Sequence, residues 1–407
     1  MTILILSQMF PDRDDPVCGI FVLEQAKAMK RLGHIIQVIR LVPYVPPGFG
    51  FLKSKWKHYR SIPKYDELEG IHVHYIRSLF LPRGLLLSVM SRLAYWRIIR
   101  FLKAFQPQLN VDLIQAHAVL PDGYLGTYLK RRLQCPLVTT IHGTDLQQRI
   151  HQSRLWRQAI HYSLHRTDHI VLVSHKLRRI LENTFPDRDH SKIEVIHNGI
   201  DLDKTSAGSP QVIRKRFPGK TILLSVGNLI PIKGHRYVLQ ALTELISEFQ
   251  HLIYFIIGDG PERSNLEEQV KKFSLTPYVH FTGFLPKNQV ADYMAACDIF
   301  VLPSYNEGFG IVYIEAMSFG KPVIGCRGQG IEDCIVDRQN GFLVNPQDTT
   351  DLVKTIRYIL GHPEQSHQIA ARAQLEIRNN WTWSNNVNRY DHLYHELLNR
   401  NPERTIR

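Results

Sequence analysis

Cysteine is scarce in this sequence. The five residues (Cys18, Cys135, Cys297, Cys326 and Cys334) are odd in number and include no Cys-x-x-Cys pair. That argues against a disulfide framework and reads as free thiols in a reducing cytosol. Long hydrophobic runs are also missing. None approaches the ~20 residues of a membrane span, and Met1 to Leu6 has no basic stretch before it and reads as a first core strand, not a signal peptide. Negative charge is in deficit, with 37 Asp+Glu against 50 Lys+Arg and a formal net charge of +13. The balance calls for an anionic partner: nucleic acid, a membrane surface or a phosphorylated substrate.

The 407 residues, 44% of them hydrophobic, suffice for two domains with cores of their own. Strands and helices alternate along most of the chain. Strands are expected at 2–7, 35–41, 112–116, 137–141, 170–174 and 193–196, with helices near 20–32, 85–105, 122–133, 153–166 and 175–184. A polar stretch at 203–220 reads as a linker. The pattern then restarts with strands at 222–226, 254–257, 280–281, 299–302 and 323–325, and helices near 235–248, 262–273, 288–296, 311–319 and 349–361. Such alternation predicts parallel sheets covered on both faces. The expected division is a first domain over 1–202, the linker, a second domain over 221–380, and an aromatic helix within 381–407 packing back on the first domain.

The chain is organised around Ser304 to Met317, where a buried strand enters and a helix leaves a loop holding Gly308-Phe309-Gly310. Free backbone N–H groups at that helix start can hold an anion. Glu307 and Glu315 cannot bind phosphate but can accept hydrogen bonds from sugar hydroxyls. Phosphate plus polyol suggests a nucleotide sugar. Three more loops fall on the same carboxyl edge. They are Gly227 to Gly234, with Lys233 placed to neutralise a phosphate; Gly258-Asp259-Gly260-Pro261; and Thr282-Gly283-Phe284, with backbone groups able to pair with a base edge. In the first half, Gly19 closes a long loop before a helix. His117, His142-Gly143-Thr144-Asp145 and Ser174 end three strands, and ligands sit at the carboxyl ends of such strands. His161 and His165 lie one helical turn apart; with no third ligand at a recognisable spacing they read as a surface pair.

Between 51 and 110, eleven basic residues face only Asp66, Glu67 and Glu69, and Trp56, Phe80, Tyr95 and Trp96 are interleaved with them. This stretch suits the surface of an anionic bilayer, or else forms a helix with an apolar core face and a solvated basic one.

In order and spacing, Gly227-Asn228-Leu229, Lys233-Gly234, Gly258-Asp259-Gly260-Pro261, Gly283-Phe284 and Glu307-x7-Glu315 together resemble the retaining glycosyltransferases of family 4. In the first half, Gly19, His142 to Asp145 and Asn198-Gly199-Ile200-Asp201 add to the match, which covers nearly the whole chain. Ser225 to Leu229 is similar to members that build teichuronic-acid-type cell-surface polysaccharides. The resemblance implies an α/β fold of the GT-B architecture, with two facing Rossmann-like domains, parallel sheets and a cleft between them. It implies transfer of a sugar from a nucleotide sugar, expected to be a UDP-sugar, to a glycan or polyprenyl-lipid-linked acceptor. The place of action would be the cytoplasm or the inner face of the membrane. Lys233 would bind the donor diphosphate, Phe284 the base through its backbone, Glu307 with the Phe309–Gly310 amides the donor sugar and phosphate, and Glu315 the ribose. Gly19, Asn228, Gly258, Asp259 and Gly308 complete the donor set. His142 would lie beside the anomeric centre, making His142, Lys233 and Glu307 the catalytic group, with His117, Asp145 and Ser174 on the acceptor side. Asn228 stands where many members have arginine, and Arg263 is a candidate substitute. No Asp-x-Asp directly follows a strand, so neither an essential metal nor a cofactor is expected. Two other readings share these features: a sugar-nucleotide 2-epimerase on the same architecture, and a basic protein that binds nucleic acid.

Overall fold

A computed structural model describes residues 1–46, 54–78, 87–105, 110–205 and 208–400. The chain forms two compact units: Met1–His197 together with the segment from Trp383, and Asn198–Thr382. Part of the expected basic stretch, including Lys53, Phe80 and Arg83, lies outside the described residues.

The first unit carries β1 (Thr2–Leu6), β2 (Ile35–Pro43), β3 (Tyr65–Leu68), β4 (Ile71–Ser78), β5 (Leu113–Ala116), β6 (Leu137–Ile141), β7 (His169–Leu172) and β8 (Ile193–Val195) in one sheet. Its order is β3-β4-β2-β1-β5-β6-β7-β8. β1 reads Thr-Ile-Leu-Ile-Leu with its last four residues buried, the continuous apolar run expected of a strand covered on both faces. All described neighbours pair in parallel except β3, which runs antiparallel to β4. This edge hairpin corrects the expectation of a purely parallel sheet. Its turn, Glu69-Gly70, has both residues at positive φ (48° and 80°), and the short polar strands around it left little periodicity to read.

The second unit carries β9 (Thr221–Val226), β10 (Leu252–Ile257), β11 (Val279–Gly283), β12 (Ile299–Val301), β13 (Val323–Cys326) and β14 (Phe342–Val344). They form a parallel sheet ordered β11-β10-β9-β12-β13-β14. The helix His235–Glu248 buries Val238, Leu239, Leu242 and Leu245, one stripe at helical spacing. That stripe joins Tyr254, Ile256, Val301 and Ile324 in the core. β14 and the helix Pro363–Asn380 were not expected from the pattern. Within 203–220, the expected linker, the short helix Pro210–Arg214 packs against Lys287–Ala296. Ile213 there is buried, and Arg214 pairs with Asp298 at 2.6 Å, so this stretch is part of the second unit's body.

The last helix, Trp383–Asn399, lies in the first unit against the helix Ile20–Arg31. Asn386 Oδ1 accepts from Gln25 Nε2 at 2.7 Å, Gln25 Oε1 accepts from Gln115 Nε2 at 2.9 Å, and the Thr140 and Tyr390 hydroxyls are 2.9 Å apart. His161 and His165 stack with ring centroids 6.3 Å apart. Among the described residues no helix is long and apolar enough to cross a membrane.

Candidate functional site

Four loops of the second unit leave the carboxyl ends of β11, β10, β9 and β12, neighbours in the sheet. Glycine lets them touch. A Cβ on Gly258, after β10, would stand 2.0 Å from the Gly227 carbonyl oxygen after β9, and one on Gly234 would stand 2.3 Å from that of Pro303 after β12. Gly234 (φ 75°) and Gly310 (φ 92°) open the helices His235–Glu248 and Ile311–Ser318, and neither helix start has a side-chain cap. The starts capped by Ser153, Ser174 and Asp348 elsewhere in the chain are a contrast. Two uncapped starts on one edge direct amide dipoles to the same side of the sheet.

Lys233 and Glu307 meet here, Nζ to Oε2 at 2.5 Å, with both side chains largely shielded. Ser304 donates its hydroxyl to the same Glu307 oxygen at 3.1 Å, and the Glu307 amide donates to Gln329 Oε1 at 3.0 Å. Burial opposes the charge on Glu307, but the Lys233 cation, the Ser304 hydroxyl and the Gly308 amide outweigh it and lower the carboxyl pKa. Behind the pair, His235 is buried and held neutral, its pKa pushed down to about 3 by burial and then by the Lys233 charge. His235 Nδ1 lies 3.3 Å from the Tyr254 hydroxyl, which is 2.7 Å from Ser225 Oγ.

The remaining donor-set residues lie on the same edge with distinct surroundings. Phe309 is buried, its ring stacked on Trp381 at 5.7 Å, so its side chain serves packing. Phe284 is 56% exposed. Asn228 and Asp259 are exposed, and the Asp259 carboxylate accepts from Gly260 N at 2.7 Å. Glu315 is half-buried in the second turn of Ile311–Ser318. Arg263 pairs with Glu267 at 2.9 Å and lies over the Phe281 ring. Its guanidinium is 3.6 Å from where a Gly283 Cβ would be, which places it beside the end of β11. Sequence reasoning missed Gln329, whose side chain holds the Glu307 amide. The signal was present in Gly328-Gln329-Gly330, a glycine pair directly after β13.

In the first unit, His142 follows β6 and His117 follows β5. Their rings stack 5.4 Å apart, with His117 Nδ1 3.1 Å from His142 Nε2. The Phe21 ring meets His142 at 4.5 Å. Burial keeps both imidazoles neutral, His142 with a pKa near about 3 and His117 well below its ordinary value, where the neighbouring His142 adds to burial. A neutral pair can donate one N–H to a ligand hydroxyl but cannot offer a cation. Gly19 (φ 63°) starts the helix Ile20–Arg31, and a Cβ there would stand 2.1 Å from the Met9 carbonyl oxygen, so glycine lets the first loop fold onto the helix start.

Asp145 and Ser174, expected on the acceptor side, are both engaged within the first unit. Asp145 is buried, taking Val119 N at 2.7 Å and Arg149 at 3.0 Å, so it braces the 117–123 loop. Ser174 is wholly buried and caps its helix by accepting from Leu177 N at 3.3 Å. Asp122, not singled out from the sequence, is buried near Asp145 and accepts from Gln8 N at 3.1 Å; burial pushes its pKa up to about 7. Asp12, Asp14 and His58 bring three possible metal-ligand atoms within 4.8 Å, but Asp12 already holds Arg40 at 2.6 Å and the amides of Asp14 and Asp15.

Residues 211–392 match the family described as Glycosyl transferases group 1, and residues 19–204 match Glycosyltransferase Family 4. The chain thus carries a domain of each of these two glycosyltransferase types. It is 28% identical over 362 residues, 88% of each chain, to a Bacillus subtilis (strain 168) protein provisionally named a teichuronic acid biosynthesis glycosyltransferase, TuaC. It is 27% identical to N-acetyl-alpha-D-glucosaminyl L-malate synthase of Bacillus anthracis, over 71% of this glycosyltransferase and 76% of that one. Among solved structures, sucrose-phosphate synthase of Thermosynechococcus elongatus superposes with a TM-score of 0.80 at 20% identity, over 97% of this chain and 98% of that one. Anabaena HepE, solved with UDP, gives a TM-score of 0.73 at 20% identity, over 97% and 100%. Both likenesses agree with the GT-B fold of two parallel-sheet domains.

Proposed function

We propose that this glycosyltransferase moves a sugar from a UDP-sugar to a glycan or lipid-linked acceptor of a cell-surface polysaccharide, with retention of anomeric configuration and without a metal. The observation that carries this reading is the Lys233–Glu307 pair, set beside two helix starts without side-chain caps on one sheet edge. In this reading a diphosphate takes Lys233 and the amides at Gly234 and Gly310, and Glu307 turns to the donor sugar. Glu315 holds the ribose diol and the Gly283–Phe284 backbone the base. Arg263, beside Gly283, contributes the positive charge that Asn228 lacks. The neutral His142 imidazole, oriented by His117, offers a hydrogen bond to a sugar hydroxyl.

A retaining transfer without a protein nucleophile then proceeds by front-face attack. The acceptor hydroxyl and the leaving diphosphate share one face of an oxocarbenium-like centre. Rate enhancement comes from positioning and from charge stabilisation of the leaving phosphate by Lys233 and the helix dipoles. The similarity to HepE, which was solved with UDP, supports uridine as the base, and the similarity to TuaC supports an envelope polysaccharide as the destination. The helix Leu87–Phe105 supports a place at an anionic membrane surface, because Val89, Leu93 and Trp96 are exposed on it alongside Arg92, Arg100 and Lys103. Neither the epimerase nor the nucleic-acid reading gains support from the comparisons.

Incubation with radiolabelled UDP- and GDP-sugars, with and without a polyprenyl-linked acceptor, tests the proposal. Acceptor-dependent transfer from a UDP-sugar with the anomeric configuration kept, unaffected by chelator, is expected. Epimerised nucleotide sugar with no acceptor product would overturn it.

A further inference from the structure

Away from both sheet edges described above, the first unit holds an 830 Å³ pocket between the end of β4 and the helix Leu87–Phe105. Its wall is mostly apolar, with Ile76 and Phe101 lining it, and Lys64, Arg77 and Arg97 also border it. Among the described residues none of these three cations meets a carboxylate. Arg77 donates to the Ile62 carbonyl at 2.7 Å, Arg97 donates to the Arg77 carbonyl, and Lys64 is exposed. The sheet leaves this space because β3 pairs only with Ile71 to His74, so among the described residues the remainder of β4 has a strand on one side alone.

A second feature of the pocket is independent of its charge. His74 lines it and is only 9% exposed, packed between the rings of Tyr65 at 5.2 Å and Phe101 at 4.4 Å. Its Nε2 is buried without a hydrogen-bond partner. A buried polar nitrogen left unpaired is costly, and a ligand oxygen entering the pocket would remove that cost. Burial holds the ring neutral, with its pKa lowered to about 4, so at neutral pH it offers an N–H and no charge.

An apolar chamber, three cations without acidic partners and a buried unpaired donor describe a ligand with a hydrocarbon body and a compact anionic head. We propose that this pocket binds a single phosphate-headed lipid chain, isoprenoid or acyl. The chain lies against Ile76 and Phe101, and the phosphate takes Lys64, Arg77, Arg97 and His74. Binding here is separate from donor binding, and its test needs no transfer to occur.

The same chemistry could come from a free lipid phosphate or from a bilayer headgroup, and the experiment separates them. Titration calorimetry with farnesyl phosphate, farnesol and inorganic phosphate is expected to show farnesyl phosphate binding at least tenfold tighter than either part alone. The Lys64→Ser/Arg97→Ser double variant, with both residues exposed so that folding is retained, should lose about tenfold for farnesyl phosphate and nothing for farnesol. His74→Phe should weaken farnesyl phosphate binding without lowering the melting temperature. Equal affinity for farnesyl phosphate and farnesol would overturn the proposal, as would failure of farnesyl phosphate to bind. So would a double variant that loses sedimentation with phosphatidylglycerol vesicles while still binding farnesyl phosphate as the parent does, because the cations would then serve the bilayer surface and not the pocket.

Discussion

Lys233 Nζ lies 2.5 Å from Glu307 Oε2, although the two residues are 74 positions apart and leave the sheet after different strands, β9 and β12. Each holds the other's charge in a shielded place, so removing one leaves its partner uncompensated. Lys233→Ala should therefore nearly abolish transfer and weaken donor binding by about 1.5–3 kcal/mol, the range for a hydrogen bond to a charged group. Lys233→Ala/Glu307→Gln should cost less than the sum of the single changes in a stability cycle. Additive losses by chemical denaturation would show that the pair is not coupled.

Glu315→Gln and Glu307→Gln are expected to fail differently. In the proposed reading Glu315, in the helix beyond the loop, holds the ribose, so its amide should raise the KM for every donor with that nucleotide. Glu307 is nearer the sugar, where positive charge develops, so its amide should lower kcat more than donor affinity. Steady-state kinetics of both variants settle the assignment. Parent-like values for both would remove this edge as the donor site.

Gly258→Ala should destabilise the second unit by about 1–3 kcal/mol from backbone strain alone, because φ is 132° and the new Cβ would meet the Gly227 carbonyl oxygen at 2.0 Å. A lowered melting temperature together with weakened donor binding is the expected pair of results, since the two loops move as one. Gly361→Ala, with nothing within 4 Å of its Cβ, is the control and should leave both unchanged.

Acid should unfold the protein through its buried histidines. His74, His142, His169 and His235 have pKa values lowered by burial to about 3–4, below the ordinary value near 6.5. Each depressed group contributes stability that is present above pH 6.5 and lost as pH falls toward its folded pKa, about 2 kcal/mol each by pH 5. Asp122 runs the other way. Its pKa is raised to about 7, so its contribution is present below the unfolded value and lost as pH rises through 7; acidification to pH 5 regains part of it, and four histidines outweigh it. Thermal unfolding at pH 7.5 and pH 5.0 should show a lower melting temperature in acid. His169→Phe should reduce that difference. An unchanged difference would assign the acid sensitivity elsewhere.

The parallel arrays were legible because strands such as β1 and β10 are unbroken apolar runs, and helices such as His235–Glu248 carry one stripe. The β3–β4 hairpin was not, because Tyr65 to Leu68 is polar and short and its turn depends on positive φ at Glu69, a residue with no preference for it. The loops that share the carboxyl edge of the second sheet were visible through their glycines and the Glu307/Glu315 spacing, which survive as local sequence. Pairings across loops were invisible. Nothing near Glu307 announces Lys233 or Gln329, and nothing near His142 announces His117. Asp145 and Ser174 looked like ligands because polar residues at strand ends do both jobs. Only burial and the hydrogen bonds to Val119 N and Leu177 N show that they hold backbone.

Because the first unit takes its last helix from the far end of the chain, the order of synthesis is not the order of completion. When residue 197 leaves the ribosome, Gln25 lacks Asn386, and Thr140 lacks Tyr390. The intervening unit, Asn198–Thr382, takes about 10–40 s to make at ordinary rates of 5–20 residues per second. Every described strand of its sheet is made by residue 344, so it can fold before the helix Trp383–Asn399 emerges. The N-terminal unit, first to be made, is thus the last to close, and its unclosed interval falls when the nascent chain is most open to chaperones.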